Sequence, residues 1–398
     1  MLAYETALKR VLDTTRTLGT EIISLRDSLG RVLSAPVCAK ITQPPFDGSA
    51  MDGYAVIASD VFDGATLKRI GESQAGAGFD GQVYSGQCVR IFTGAPMPKG
   101  ADAVVMQEQT SVNGDEISFE KPPETGQNVR PMGQDFIQGD KLLDPGTALN
   151  PAAIALVAAA NVPEVEVFKR PQIAFLATGD ELVSPGSIMK PGQIVSSNGF
   201  ALGALFSGMA QKILDLGSAP DNEAALKEKF SEALNGTADI IISTGGASVG
   251  DHDLVLPVLK SLGAEIDFWK IAIRPGKPII FAKSNDKLIF ALPGNPVSAY
   301  VCAVSVVIPA IRAICGHEEP GPKSLALPLG APMAANGFRR HFMRGKIVEI
   351  DGRSHVMPIS QTDSSHLSSL SKADVLLVAL ENSGELKQGS IVQTIPLP

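Results

Sequence analysis

The sequence predicts a multidomain α/β protein: a central, mostly parallel, doubly wound α/β domain, an elongated N-terminal domain with an inserted small β domain, and a C-terminal β domain. Three observations carry this expectation. From Pro171 to about residue 313, bounded apolar runs alternate with helical patterns, as in a parallel sheet covered on both faces. From about 57 to 136, short strand patterns alternate with turns such as Phe62-Asp63-Gly64, Gly78 to Gly81 and Asn113-Gly114. Beyond Pro320-Gly321-Pro322, residues 323 to 398 show period-2 apolar alternation broken at Asp351-Gly352 and Ser383-Gly384. A chain of 398 residues that is 44% hydrophobic can build several real cores.

In chain order, the opening MLAYETALKRVLD is an amphipathic helix with Leu8, Val11 and Leu12 on one side. An alanine-rich helix at Pro151 to Ala160 has proline in its first turn, where a missing N–H costs nothing. Helical pattern therefore flanks the β segment, so 1–43 with 137–169 is expected to form one discontinuous domain and 44–136 an insertion into it. Residues 170–319 form the α/β domain and 320–398 the C-terminal one. Expected strands of the α/β domain run from Ile173 to Ala177, Lys212 to Leu214, Asp239 to Ser243, Glu265 to Lys270 and Leu288 to Leu292. Expected helices cover Gly199 to Met209, Asn222 to Leu234, Leu254 to Leu262 and Val297 to Ala313.

Charge narrows the function. A net charge of -8 and a pI near 5.3 argue against broad attraction to nucleic acid or an anionic membrane, so any anionic ligand needs a local cluster of cations. Cys38, Cys88, Cys302 and Cys315 are far apart, which fits neither a zinc site nor a disulfide scaffold and points to the reducing cytoplasm. The N-terminus lacks the apolar core of a signal peptide, and the apolar stretches near Ile154 to Val162 and Ala299 to Ile311 read as too short to span a bilayer. The histidines form no metal-spaced pair, and GxxxxGK[ST] does not occur.

Parallel α/β sheets bind ligands beyond the carboxyl ends of their strands. Three such ends carry suggestive loops: Thr178-Gly179-Asp180-Glu181, the stretch ADIIISTGGASVGDHD from Ala238 to Asp253, and Leu292-Pro293-Gly294-Asn295-Pro296. In the second, Gly245, Gly246 and Gly250 let backbone N–H groups approach an anion while Ser243, Thr244 and Ser248 add hydroxyls. The run FWKIAIRPGKPIIFA places Lys270, Arg274 and Lys277 on an expected strand and the turn after it, a rigid trio of cations suited to an oxyanion or phosphate. Asp180, Glu181, Asp221, Asp251 and Asp253 supply carboxylates, and oxygen donors beside phosphates suit Mg²⁺. Asp221, just before NEAALKEKF, also reads as a helix N-cap. PPFDGSAMDGYAV gathers Asp47, Ser49, Asp52 and Tyr54, and RIFTGAPMPKGADAVV holds Thr93 at a strand end.

Six motifs in order, FDGSAMDGYAV, FTGAPMPKGADAVV, ATGDEL, STGGASVGDHD, the W-K-x-x-I-R-P-G-K-P run and LPGNPVSA, resemble the MoeA family of molybdopterin molybdenumtransferases, to which the gephyrin E domain also belongs. The resemblance spans nearly the whole chain. It implies insertion of molybdenum from molybdate into adenylylated molybdopterin with Mg²⁺ and release of AMP, the last step of molybdenum cofactor synthesis. It further implies an elongated homodimer whose cleft is closed by the partner's DGYA-bearing domain, with molybdopterin adenylyltransferase and apo-molybdoenzymes as protein partners. Asp52, Thr93, Glu181, Asp221, Asp253, Lys270 and Arg274 fall on functionally important positions. Asp180, Glu181 and Asp253 are the implied metal ligands. Gly245, Gly246, Ser248, Gly250, Lys277, Pro293, Gly294, Asn295, Pro296 and Ser298 are the implied substrate contacts, with Arg344 and Ser364 on positions that bind molybdate. The chain departs from the family pattern at Arg274, where lysine is common, and near Ser364 and Ser365, where a glycine is usual. A molybdopterin adenylyltransferase shares the α/β domain but lacks the DGYA and C-terminal domains, and a gephyrin-like scaffold has no need of complete acid and cation motifs.

Overall fold

The opening helix, Tyr4–Thr14, buries Tyr4, Ala7, Leu8 and Val11, the spacing of one helical face. That face packs into the core of the α/β unit beside Ile173, Phe268 and Ile311, not within an elongated first unit as expected. The computed structural model describes residues 1–246, 254–360 and 363–398. Strand Thr20–Ser24 pairs antiparallel with Glu164–Phe168, closing a small layer over Leu33, Val37, Leu149 and Val157. Between those two strands the chain builds a separate six-stranded sheet. Its Gly53–Val56 lies between Gln87–Ile91 and Ala103–Met106, over a core containing Tyr54, Cys88, Val105, Ile117 and Phe119.

Within the α/β unit, strands and helices are labelled β1 (Gln172–Thr178), α1 (Asn198–Phe206), β2 (Lys212–Ala219), α2 (Glu223–Asn235), β3 (Ile240–Thr244), α3 (Val255–Ser261), β4 (Glu265–Phe268), β5 (Ile280–Ser284), β6 (Lys287–Leu292) and α4 (Pro296–Ile314). The sheet order is β2-β1-β3-β6-β5-β4. β1, β2, β3 and β6 are parallel neighbours. β3 is IIIST with every residue buried, as a strand covered on both faces should be.

Two features depart from the strict strand–helix alternation expected. β5 pairs antiparallel with both β6 and β4, and a two-residue turn, Asn285-Asp286, joins it to β6. β4 ends at Phe268 instead of Lys270, and Ile273–Arg274 then leaves the sheet to pair in parallel with Arg340 and His341. It thereby becomes the edge of the C-terminal sheet, whose other strands are Arg340–Ile350, Val375–Ala379, Ile391–Pro396, Leu325–Pro328 and Arg353–Pro358.

α4 corrects the expectation about apolar length: its 19 residues, with mean hydropathy 2.0, are long and apolar enough to cross a membrane. Yet 78% of its most apolar window is buried inside the protein, which accounts for an apolar surface all round. Its middle, Ala303–Val307, is π-helical. Pro309 has no N–H for the carbonyl of Ser305 one turn back, and the Tyr4 hydroxyl donates to that carbonyl instead at 2.9 Å. The Tyr4 ring also meets Phe342 of the C-terminal sheet edge-on at 5.3 Å.

Candidate active site

The last residues of β1, β3 and β6 are Thr178, Thr244 and Leu292, and the loops that follow them line one cavity of about 580 Å³. Close backbone approach explains the glycines. Gly245 has φ +93, and a Cβ there would lie 2.2 Å from the Thr178 carbonyl oxygen, so only glycine fits. Its N–H donates to the Leu292 carbonyl at 3.2 Å. Gly246, at φ +60, packs a hydrogen where a Cβ would meet Val255 at 2.7 Å. Gly294 lies so close to Gly245 that an added Cβ would be 3.5 Å from the Gly245 Cα. The three strand-end turns are therefore in backbone contact, and each constrains the other two.

A fourth wall comes from the C-terminal unit: Ser365 and Leu367 line the same cavity. The joint is Ser364, whose hydroxyl accepts a hydrogen bond from Asn295 Nδ2 at 2.9 Å and whose carbonyl accepts from the Val297 N–H at 3.1 Å. Asn295 sits at the N-cap of α4, but its side chain reaches out to Ser364 instead of capping its own helix. The Ser364 carbonyl in turn takes one of the amides that a helix start leaves open. Ser298, in the first turn of α4, is buried, and Pro293 and Pro296 line the cavity.

Arg344 lies behind this segment, 5% exposed, and donates to the Asp363 carbonyl at 3.0 Å. Burial lowers its pKa from the ordinary value. Beside it, His341 is pushed down to about 4, first by burial and then by Arg274, Arg339 and Arg344. Arg274 is thus brought toward Arg344 by the parallel pairing of Arg274 with His341. Lys270, Arg274 and Lys277 do not line the 580 Å³ cavity, although their neighbour Pro278 does. Lys270 places its ammonium 5.2 Å from the ring centre of half-exposed Trp269.

Carboxylates gather at the other end. Glu181 lines the cavity, and its carboxyl folds back to within 2.6 Å of where a Cβ on Gly179 would stand. The Asp221 N–H, after β2, donates to Asp180 Oδ1 at 3.1 Å. Burial, then the negative charges of Asp180 and Glu181, raise the Asp221 pKa. Asn222, not Asp221, caps α2, its side chain accepting from the Ala225 N–H at 2.9 Å. Among the described residues no three His, Cys, Asp or Glu side chains form a ready metal cluster. The donor set nonetheless fits Mg²⁺, which keeps several waters and needs only one or two carboxylates, and like-charge crowding at Asp180, Glu181 and Asp221 is what a cation relieves.

Asp52 and Thr93 meet each other on the inserted sheet: the Asp52 carboxylate accepts from the Thr93 N–H at 2.7 Å and hydroxyl at 2.8 Å. Those two bonds, backbone first, hold its pKa below the usual value. Neither residue lines the cavity. Ser248, Gly250, Asp251 and Asp253 lie outside the described residues. Three further residues shape the site. Asn198 donates to the Gly294 carbonyl at 2.8 Å, Thr178 supplies the surface against which Gly245 packs, and Ser365 faces the cavity. Of these, Asn198 is the one that sequence reading missed; the polar run Ser196-Ser197-Asn198 before an apolar helix signals only a helix start.

Comparison with known proteins bears on all parts of the chain. The sequence matches the MoeA N-terminal region (domain I and II) over residues 2–161, a probable molybdopterin binding domain over 174–313 and the MoeA C-terminal region (domain IV) over 326–397. It is 36% identical to the molybdopterin molybdenumtransferase of Haemophilus influenzae over 95% of this chain and 94% of that one. Identity to the Nostoc protein of the same name is 36%, covering 95% of this chain and 89% of the relative. The structure aligns with the molybdopterin biosynthesis MoeA protein of Pyrococcus horikoshii OT3 with a TM-score of 0.84 at 29% identity, covering 100% of both chains. From the strand-end loops to the C-terminal sheet, the chain belongs to the MoeA family of molybdopterin molybdenumtransferases.

Proposed function

We propose that this protein transfers molybdenum from molybdate into adenylylated molybdopterin and releases AMP. The observation that carries this reading is the single cavity of about 580 Å³ shared by three strand-end loops and the segment bearing Ser365. Such a volume accommodates an organic ligand, and its walls combine glycine backbone with hydroxyls and a carboxylate.

The substrate's pyrophosphate and thiolates and the molybdate dianion must converge without repelling one another. At the Gly245 and Gly294 loops the backbone can approach a phosphate closely because no Cβ intervenes. Arg274 and Arg344, close enough to depress His341 together, would hold molybdate beside Asn295 and Ser364. Lys270 and Lys277 would add positive charge toward the phosphoanhydride. Mg²⁺, held by Asp180, Glu181 or Asp221, would supply neutralisation of phosphate oxygens when bound. A molybdate oxygen would attack the AMP phosphorus, the anhydride bond to the pterin-side phosphate would break, and the attacking oxygen would leave with AMP as dithiolene sulfur replaces it on molybdenum.

Asp52 and Thr93 stand outside the cavity of their own chain, so we further propose that a second copy brings its Asp52–Thr93 pair to the site in a homodimer. Molybdopterin adenylyltransferase as supplier, apo-molybdoenzymes as recipients and a cytoplasmic setting complete the proposal. The decisive experiment feeds purified protein adenylylated molybdopterin and follows AMP by mass, with and without ¹⁸O-molybdate. Molybdate-dependent AMP carrying one label supports the scheme. Unlabelled AMP would overturn the nucleophile, and no molybdate-dependent AMP would overturn the function.

A further inference from the structure

Beside the starts of β1 and β2, a small crevice of about 20 Å³ lies where the N-terminal layer meets the α/β unit. It is lined by Gly30 to Val32, Phe168 and Arg170 on one side and by Met209, Ile311, Arg312, Cys315 and His317 on the other. Three guanidiniums therefore share one opening in a chain whose formal net charge is -8. Arg31, 8% exposed, is satisfied: it pairs with Glu21 at 2.5 Å and donates to the Phe168 carbonyl at 2.8 Å.

The other two guanidiniums are not neutralised in this way. Arg170 makes one long hydrogen bond, to the Leu29 carbonyl at 3.4 Å, and Arg312 donates only to the carbonyls of Gly321 and Glu319, at 2.6 and 2.8 Å. Among the described residues neither forms an ion pair, although Glu21 acts on Arg170 and Glu319 on Arg312 from longer range. Burial, then Arg31, lowers the Arg170 pKa, and burial lowers that of Arg312. His317 is pushed down to about 4 by burial, Arg312 and Lys323, so it is neutral at pH 7 and offers a ring N–H without further charge.

Partly buried guanidiniums normally have a carboxylate or phosphate fork opposite them, because their desolvation is otherwise uncompensated. We propose that this crevice binds one small inorganic oxyanion of the sulfate or phosphate kind, gripped by Arg170 and Arg312 with one oxygen seated in the cavity. The volume admits about one water-sized atom, which excludes an organic ligand. Arginine's planar fork favours a polyatomic oxyanion over chloride. Because the two arginines belong to different layers of the molecule, the bound anion would fasten one to the other. The proposal is independent of the transfer reaction.

The test is equilibrium dialysis of the full chain against ³⁵S-sulfate at fixed ionic strength, comparing wild type with R170Q and R312Q. Wild type should bind about one sulfate per chain more than either variant, with molybdenum transfer within about twofold of wild type. R170K, which keeps the charge and loses the fork, guards against a misfolded glutamine variant and should bind about tenfold more weakly than wild type. Equal sulfate bound by wild type and all folded variants would overturn the proposal, as would full displacement by an equimolar concentration of chloride.

Discussion

Gly245→Ala tests the convergence of the three loops most directly. At φ +93 the new side chain is in a backbone region that costs a non-glycine residue about 1–2 kcal/mol. It also places Cβ 2.2 Å from the Thr178 carbonyl oxygen, and real Cβ contacts essentially never fall below 3.0 Å, so the β1 and β3 ends must part by at least about 0.8 Å. Overpacking of this kind adds about 1–3 kcal/mol. Gly64→Ala is the matched control, since Gly64 has φ +77 with nothing within 4 Å of its added Cβ, so it isolates the backbone cost. Urea unfolding should give a loss of about 1–2 kcal/mol for G64A and about 2–5 kcal/mol for G245A. Molybdate-dependent AMP release per folded molecule should be unchanged in G64A and fall about 100-fold in G245A, the effect of displacing reacting groups by about an ångström. A G245A protein as stable and as active as G64A would refute the claim that these loops are in contact around one site.

Other predictions follow from individual contacts. Asn295→Ala removes the donor that tethers Ser364 and should raise the KM for molybdate about fivefold, the worth of about 1 kcal/mol of hydrogen bond; S364A in the same background should add little, read by a double-mutant cycle. Tyr4→Phe strands the Ser305 carbonyl at a cost of about 1–3 kcal/mol in urea unfolding, and that cost should shrink in P309A, which restores a backbone donor one turn along. The raised pKa of Asp221 means that the native state holds its proton more tightly than the unfolded chain, so its stabilising effect is present below the ordinary carboxylate range and lost as pH rises through the raised value. D221N should therefore melt higher than wild type at pH 7 without Mg²⁺, the gap should close in acid, and Mg²⁺ should raise the melting temperature of wild type more. Thr93→Val deletes one of two donors to Asp52, whose carboxyl should move back up toward its ordinary pKa in ¹³C NMR titrations while AMP release falls.

The strand-end loops were legible because their signals are local: glycine pairs, Pro293 and Pro296 punctuate the chain next to bounded apolar runs such as IIIST. That three such turns share a cavity follows from parallel-sheet geometry alone. What escaped was non-local. KPIIFAKS follows the RPG turn without a break in apolar character, so the antiparallel strand Ile280–Ser284 merged with a loop in the reading. The destination of Ile273–Arg274 depends on a partner more than sixty residues downstream, about which its own composition says nothing. Likewise, the amphipathic face of the first helix announces burial but not against which core, and the answer rests on the Tyr4–Ser305 bond across 301 positions. In the site, acid and cation motifs were visible as residue types, whereas the separation of the Asp52–Thr93 pair from the cavity is a property of domain placement that no spacing encodes.

The short strand Ile273–Arg274 has a consequence for anyone treating the regions of this chain as exchangeable modules. It is contributed by one unit and hydrogen-bonded into the sheet of another, and the Leu2 and Ile271 bridge draws the N-terminus into the same seam. A chimera that imports a relative's C-terminal region across the Pro320 boundary would inherit a sheet cut to fit a different edge. Grafts should travel with residues 271–278, and truncations that stop at the proline linker will expose an open ladder where the seam had been.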